Sequence, residues 1–185
     1  MIETERLILR RFKEEDYNDL FEYLHEPQVN CFVSMKLNTI KDAKRAVFER
    51  MNENTGLYFA IILKSENKVI GELFVHPEEN DKESYAKGTL CPCWMLNKSY
   101  QRHGYMNEAS TAYVSYIFGM EEINRLFCYT EDYNIPTQKG LEKLGFKQEK
   151  LFKNFISFIS DSKGVPILEN TFRYVLLKKD WISRR

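Results

Sequence analysis

Segments with the period of a β-strand and segments with the period of an α-helix follow one another along this chain in a mixed order. Helical spacing covers residues 17–24, 40–55, 106–118 and 134–144. Apolar segments typical of strands cover residues 7–9, 58–63, 69–75, 89–96, 125–130, 152–159 and 172–177. The order is strand, two helices, three strands, helix, strand, helix and two strands, which predicts a mixed α/β fold around one sheet.

Capping residues mark the boundaries of two of these helices. Thr39, with Asp42 three residues later, forms a capping-box pattern, and Gly56 marks the expected end of that helix. Asn134 suits the N-cap of the later helix, and Gly145 suits its end. No repeat, low-complexity tract or Pro/Gly/Ser-rich linker interrupts the 185 residues, so we expect residues 1–185 to form a single domain.

Charge and hydropathy argue against two classes of partner. Lys and Arg total 27, as do Asp and Glu, and this zero net charge lacks the basic surplus of a nucleic-acid-binding protein. The longest apolar run, at 58–63, is far too short for a membrane span. The first residues lack the basic and then apolar pattern of a signal peptide. We therefore expect a cytoplasmic protein without nucleic-acid or membrane partners.

The cysteines do not have the spacing of a metal site. They lie at positions 31, 91, 93 and 128, and the one close pair, Cys91 and Cys93, lacks the two-residue spacer of common zinc and redox motifs. His25, His76 and His103 lie apart from them in sequence. The expectation is therefore a protein without a metal, with small thiols in a reducing compartment.

A strand, a short loop and a helix start follow one another between residues 94 and 109. A helix N-terminus offers unpaired N–H groups and a positive dipole end, which suit a phosphate, and Gly104 lets the backbone approach a ligand. The chain contains neither G-x-x-x-x-G-K-[ST] nor G-x-G-x-x-G. Strand–glycine–helix joints are also common in proteins that bind no ligand at this position, so the loop alone leaves both interpretations open.

The residues of this loop resemble a known cofactor-binding motif. Gln101, Arg102, His103, Gly104, Tyr105 and Met106 match the [QR]-x-x-G-x-[GA] pyrophosphate loop of the GNAT acetyltransferase superfamily, except that Met106 stands where Gly or Ala is usual. The wider phrase Gly-Tyr-Met-Asn-Glu-Ala is similar to that of the branch that acetylates ribosomal-protein N-termini. Further similarities to this branch cover nearly the whole chain and lie at 4–10, 134–146 and 174–181.

The resemblance implies a mostly antiparallel sheet of about seven strands with about four flanking helices. Its fourth and fifth strands would part in a V that holds acetyl-CoA, and Pro92 on the fourth strand agrees with such a splay. Free backbone groups near Trp94, Met95 and Leu96 would pair with the pantetheine, and N–H groups of residues 102–106 with the pyrophosphate. Asn134 and Thr137 would lie beside the pantetheine and the thioester.

Two catalytic roles are implied. Thr137 is a candidate donor to the leaving thiolate, because Leu141 occupies the position where many family members have a catalytic tyrosine. Its hydroxyl could instead cap the short helix, as Asn134 could; water and Tyr133 are further donors. Glu131 is a candidate base, with Asp132, Glu72 and His103 as alternatives.

The acceptor is expected to be a primary amine. An α-amine titrates near 7.7–8.0 and is already partly neutral at cellular pH, so a site without an obvious base favours a protein N-terminus over a lysine. A small amine such as a polyamine or an aminoglycoside, a non-catalytic CoA-binding module and a purely structural domain are the alternatives. Acidic residues at 78–81 and in the first helix could steer a cation, or simply be solvated. We expect a monomer or a homodimer.

Overall fold

The structure is a computed structural model that describes residues 1–27, 30–75 and 88–184. It contains five α-helices: α1 (Tyr17–Leu24), α2 (Ile40–Met51), α3 (Tyr105–Phe118), α4 (Ile135–Leu144) and α5 (Lys178–Ser183). The β-strands are β1 (Ile2–Glu3), β2 (Leu7–Arg10), β3 (Phe59–Leu63), β4 (Lys68–Val75), β5 (Thr89–Leu90), β6 (Pro92–Leu96), β7 (Arg125–Glu131), β8 (Lys147–Ser160) and β9 (Pro166–Leu177). Short 3₁₀ helices cover Glu14–Asp16, Asn30–Met35 and Lys98–Tyr100.

The chain divides into two compact units. Of the described residues, 1–27, 32–75 and 93–114 belong to the first unit, and 30–31, 88–92 and 115–184 belong to the second. One sheet has the strand order β1-β2-β3-β4-β6, and the other has the order β5-β7-β9-β8. The expectation that residues 1–185 form a single domain stays a prediction.

The first unit buries an apolar core made by α1, α2 and the middle strands of the five-stranded sheet. Strands β2, β3 and β4 pair antiparallel in chain order. Every residue of β3 is buried, because helices and strands cover it. The core comprises Phe12, Leu20, Tyr23, Leu24, Leu37, Ala43, Ala46, Val47, Ala60, Ile62, Val69 and Met95.

The second unit is organised by β7, which lies inside the four-stranded sheet. Strand β5 pairs in parallel with the start of β7. Strand β9 pairs antiparallel with β7 over the whole length of β7. Strands β8 and β9 form a long antiparallel hairpin with several register shifts. This pairing fixes which residues of β7 and β9 lie opposite one another, and those residues matter for the candidate site.

The predicted mixed α/β class is confirmed. The segment predicted as the fourth strand is divided between the two sheets. Residues 89–96 are not one strand: Thr89 and Leu90 pair with β7, whereas 92–96 form β6 in the other sheet. The division falls next to Pro92, which cannot donate a backbone hydrogen bond. The predicted splay between the fourth and fifth strands stays a prediction.

Several boundaries differ from those expected. Helix α2 ends at Met51 rather than near Gly56, because the backbone and side-chain N–H groups of Asn52 both donate to the carbonyl of Phe48. The last strand ends at Leu177 as predicted, but it begins earlier, at Pro166, and the chain continues as α5, which was not predicted. The acidic segment at 78–81 and His76 lie outside the described residues. Among the helices of the described ranges, none is both long and apolar enough to cross a membrane.

Candidate functional site

The chain leaves β6 through a buried asparagine that fixes its direction. The backbone N–H of Asn97 donates to the carbonyl of Ile70 at 2.8 Å, and its side-chain amide donates to Glu22 at 2.8 Å. Its side-chain oxygen accepts from the N–H of Ser99, which starts the 3₁₀ turn. Asn97 therefore anchors the loop that follows β6. The sequence analysis did not identify it, although an asparagine before Lys-Ser is a capping signal.

Residues 101–106 form an exposed turn that leads into α3. Arg102 and Gly104 both have positive φ values, 66° and 82°. Such left-handed residues turn successive backbone N–H groups towards one side, and the first N–H groups of α3 have no acceptor within the helix. The Nδ1 of His103 donates to the Gln101 carbonyl at 2.8 Å, and the His103 ring stacks on that of Tyr105. The arrangement presents several donors and a positive dipole end to an anion.

A side chain from the bend between β1 and β2 clamps this turn. Arg6 donates through Nη1 to the carbonyl of His103 at 2.9 Å and through Nε to Glu108 at 2.7 Å, and its guanidinium lies 4.6 Å from the Tyr105 ring centre. Glu108 also accepts from the Thr4 hydroxyl at 2.6 Å and from the Arg6 backbone N–H at 2.8 Å. The opening Thr-Glu-Arg therefore holds the shape of a turn that lies far along the chain.

The charge state of this clamp follows from its contacts. Burial alone would raise the pKa of Glu108, but the Thr4 hydroxyl and the backbone and guanidinium of Arg6 outweigh burial and lower that pKa. The hydrogen bond to Glu108 in turn raises the pKa of Arg6. The ion pair is therefore fully formed at neutral pH, and it would weaken only as pH falls through the lowered pKa of Glu108.

Strand β6 supplies the three other residues predicted beside this turn. Met95 is buried in the core, and Trp94 and Leu96 are half-buried. Strand β6 is the terminal strand of its sheet as described. A side chain at Gly71 of β4 would collide with the carbonyl oxygen of Met95, so a glycine is required where the two strands approach. A terminal strand presents backbone N–H and C=O groups that can bind amides.

The second unit brings Glu131, Asn134 and Thr137 together where β7 ends and α4 begins. The side-chain oxygen of Asn134 accepts from the Thr137 N–H at 3.4 Å, and its amide donates to Glu131 Oε2 at 3.0 Å. The capping role predicted for Asn134 is confirmed. The Thr137 hydroxyl makes no hydrogen bond to any described residue, so it does not cap the helix and is available to a ligand.

Glu131 carries a buried carboxyl oxygen without a partner. Its side chain is 3% exposed, and Oε1 has no hydrogen-bond partner among the described residues. Directly opposite on β9 lies Thr171, which is 2% exposed and whose hydroxyl is likewise unpartnered there. The neighbouring Thr130 has a third buried hydroxyl of this kind, but adjacent strand residues point to opposite faces of the sheet. No sequence pattern near Thr171 indicated that it lies beside a candidate site residue.

The other candidate bases have different surroundings. Glu72 is 0% exposed, and its carboxylate accepts hydrogen bonds from Nε and Nη2 of Arg50, at 2.7 Å and 3.0 Å. Burial alone would lower the pKa of Arg50, but Glu72 outweighs burial and raises it, so the guanidinium stays charged beside Glu72. Asp132 accepts from the Asn170 side chain at 2.9 Å, and His103 is exposed. Glu131 alone of these four combines deep burial with an unpartnered acceptor.

No metal site is found in the part of the chain that the structure describes: no group of three or more His, Cys, Asp or Glu side chains there could hold an ion. The predicted cofactor residues form two sets. Those from 94 to 106 lie together in the first unit, and Asn134 and Thr137 lie together with Glu131 in the second.

Comparisons with known proteins point to one family. A family model described as "Acetyltransferase (GNAT) domain" matches residues 6–147. A curated relative from Bacillus subtilis (strain 168), named "Uncharacterized N-acetyltransferase YnaD", is 28% identical over 180 residues, which is 97% of this chain and 98% of that protein.

Solved structures show the same fold. An acetyltransferase (GNAT family) from Bacillus anthracis matches with a TM-score of 0.78 and 25% identity, over 96% of this chain and 98% of that one. The ribosomal-protein-S5-alanine acetyltransferase from Vibrio fischeri matches with a TM-score of 0.72 and 19% identity, over 97% of each chain. At that identity the second likeness concerns the fold alone.

Proposed function

Because this chain belongs to the GNAT family of acetyltransferases, we propose that it transfers the acetyl group of acetyl-CoA to the α-amine of a polypeptide. The observation that carries this proposal is the turn at 101–106, whose positive-φ residues and helix start offer backbone N–H donors to an anion such as a pyrophosphate. The α-amine is the favoured acceptor because it needs little deprotonation near neutral pH. The fold it shares with an enzyme named for ribosomal-protein alanine supports the same choice.

We assign the cofactor contacts by chemistry. The backbone N–H groups of residues 102–106 would bind the pyrophosphate, with Gln101 at the start of the turn. The backbone of Trp94, Met95 and Leu96 on a terminal strand would pair with the pantetheine amides. Asn134 would face the pantetheine while it caps α4, and Thr137 would face the thioester sulfur.

The proposed reaction needs one proton acceptor and one proton donor. The amine nitrogen attacks the thioester carbonyl carbon, the N–C bond forms, and the C–S bond breaks. Glu131 would accept the proton that the amine loses, and the Thr137 hydroxyl would donate to the departing sulfur. A thiol titrates near 8.5, so the thiolate needs only modest help, and a single hydroxyl is sufficient.

Turnover against a panel of acceptors tests the proposal. The panel contains peptides with a free N-terminus, the same peptides with a blocked N-terminus and an internal lysine, polyamines and aminoglycosides, with release of the CoA thiol as the readout. We expect turnover with the free N-termini only. Turnover confined to polyamines or aminoglycosides would contradict the α-amine assignment. Cofactor binding without any turnover would indicate a non-catalytic module.

Binding of acetyl-CoA is tested separately by thermal unfolding. A ligand at a hundredfold excess over its Kd stabilises the native state by about 2.7 kcal/mol. A melting temperature that does not respond to millimolar acetyl-CoA would show that the protein does not use this cofactor, whatever its family.

Arg6→Gln should weaken acetyl-CoA binding about tenfold, because the turn loses the donor to the His103 carbonyl and its ion pair with Glu108. Calorimetric titration would measure this. Arg45→Gln on α2 is the control, since it removes the same charge from an exposed ion pair within one helix. Equal affinities in the two variants would show that the clamp does not shape the cofactor turn.

Thr137→Ala should lower kcat about 100-fold and leave the Kd for acetyl-CoA unchanged. The hydroxyl has no described partner to lose, so the fold should be unaffected. A donor that acts as charge develops on sulfur stabilises the transition state more than the ground state. Thr137→Ser retains the hydroxyl and should retain most activity. Full activity in the alanine variant would assign the donor role to water or to Tyr133.

A further inference from the structure

Glu131 and Thr171 place a buried carboxyl oxygen and a buried hydroxyl side by side, and neither is hydrogen-bonded to a described residue. They are register partners on β7 and β9, so their side chains lie on the same face with Cβ atoms about 5 Å apart. Glu131 Oε1 and Thr171 Oγ1 are both buried, and neither has a hydrogen-bond partner in the described residues. A hydrogen-bond donor from outside the chain would satisfy both atoms.

The energetic cost of this arrangement is considerable. Acidic side chains are rarely buried unless they are paired, and Glu131 makes no ion pair with any described residue. Its one donor is the neutral amide of Asn134, which occupies Oε2 and orients the carboxyl group. An unsatisfied buried polar atom costs about 1–3 kcal/mol of folding free energy. Replacing either side chain by an apolar one would recover this free energy. A ligand that binds both atoms would explain why the chain has them.

We propose that Glu131 Oε1 and Thr171 Oγ1 form the binding site for the primary ammonium group of the acceptor; this rests on the acetyl-transfer function proposed above. An ammonium group has three N–H donors and no acceptor. One N–H would donate to the carboxyl oxygen and a second to the threonine hydroxyl. The proton given to Glu131 Oε1 leaves the nitrogen lone pair free to form the N–C bond. Thr171 is in this view a positioning residue.

The neighbouring charges match a cation. Glu169 lies two residues before Thr171 on the same face of β9, is also buried, and accepts from the Tyr133 hydroxyl at 3.1–3.2 Å. The carboxyl groups of Glu131 and Glu169 on either side of Thr171 make a site that attracts a positive charge. An alcohol of the same shape brings a single donor and no charge, so it would leave buried acceptors unpaired. We therefore expect the site to select primary amines over hydroxyl analogues.

The test compares two isosteric substitutions on opposite faces of the same strand pair. Thr171→Val and Thr130→Val each remove a buried hydroxyl without a described partner, so neither should destabilise the fold. Using the acceptor found in the panel, Thr171→Val should raise its KM about 10- to 100-fold, as expected for a lost bond to a charged group. Thr130→Val should leave KM unchanged, and both should bind acetyl-CoA like the parent protein.

Thr171→Ser serves as the conservative variant and should restore a KM close to that of the parent. Calorimetric titration of the acceptor without acetyl-CoA provides a readout independent of turnover, and Thr171→Val should weaken it by the same factor. Equal acceptor KM in the two valine variants would overturn the proposal and leave only a buried water at this position. Absence of turnover in the parent protein with every amine would instead overturn the proposed function.

Discussion

Gly104→Asp should abolish acetyl-CoA binding, with an expected affinity loss of at least about 1000-fold, because like charges brought together in a confined site cost several kcal/mol. A side chain at Gly104 would meet only Arg6 Nη2, at an ordinary 3.4 Å, so the new carboxylate has room. It would stand among the N–H groups of the turn, where the pyrophosphate is proposed to bind. Calorimetric titration with acetyl-CoA measures the loss.

The positive φ of Gly104 calls for a control with the same backbone strain. Gly164, in the turn between β8 and β9, has a φ of 80° and nothing within 4 Å of an added side chain. Gly164→Asp therefore introduces the same strain and the same charge away from the proposed site. It should bind acetyl-CoA normally. Equal binding by both variants would place the pyrophosphate elsewhere.

Glu131→Gln should lower kcat by about 10²–10⁴-fold, the range typical of a lost general base. The same substitution should stabilise the fold by about 1–2 kcal/mol, because the new amide can accept from Asn134 and donate to the unpartnered Thr171 hydroxyl. Opposite changes in activity and stability are the signature of a residue retained for function. Steady-state kinetics and denaturant unfolding measure the two quantities.

Asp132→Asn is the matched control for this substitution. Asp132 is the adjacent carboxylate, lies at the same strand end, and already accepts from Asn170. Its neutral isostere should retain activity within a few-fold. If Asp132→Asn lost activity and Glu131→Gln did not, the base would be Asp132, and the unpartnered oxygen of Glu131 would have no catalytic meaning.

Local signals in the sequence were enough for most of the fold. Capping residues such as Thr39 and Asn134 act through hydrogen bonds three residues away, so the printed sequence contains both partners. Pro92 likewise acts locally, because the segment 89–96 passes from one sheet to the other next to this proline. Helix α5 was not predicted, because Lys178–Ser183 is a single short helix whose buried Trp181 also fits a strand pattern.

The candidate site could be predicted only where its parts are close in sequence. The turn at 101–106 and the group at 131–137 are each contiguous, and both were identified. Thr171 was missed because its position opposite Glu131 depends on the register of β7 and β9, which are separated by α4 and β8. The role of Arg6 was missed for the same reason: a strand start gives no sign of which distant carbonyl it will hold.

The clamp between Thr4, Arg6 and Glu108 also leads us to expect an order of events during folding. Thr4 and Glu108 are 104 residues apart, and closing a loop of that length costs entropy that local structure must offset. We therefore expect the turn beside α3 to gain its final shape only after residues 4–6 have met Glu108. A nascent chain that has exposed the turn but not yet docked its own beginning would have the residues for cofactor capture without the geometry. We thus expect the site to mature when this contact, which joins residues 104 positions apart, has formed, rather than when the turn itself forms.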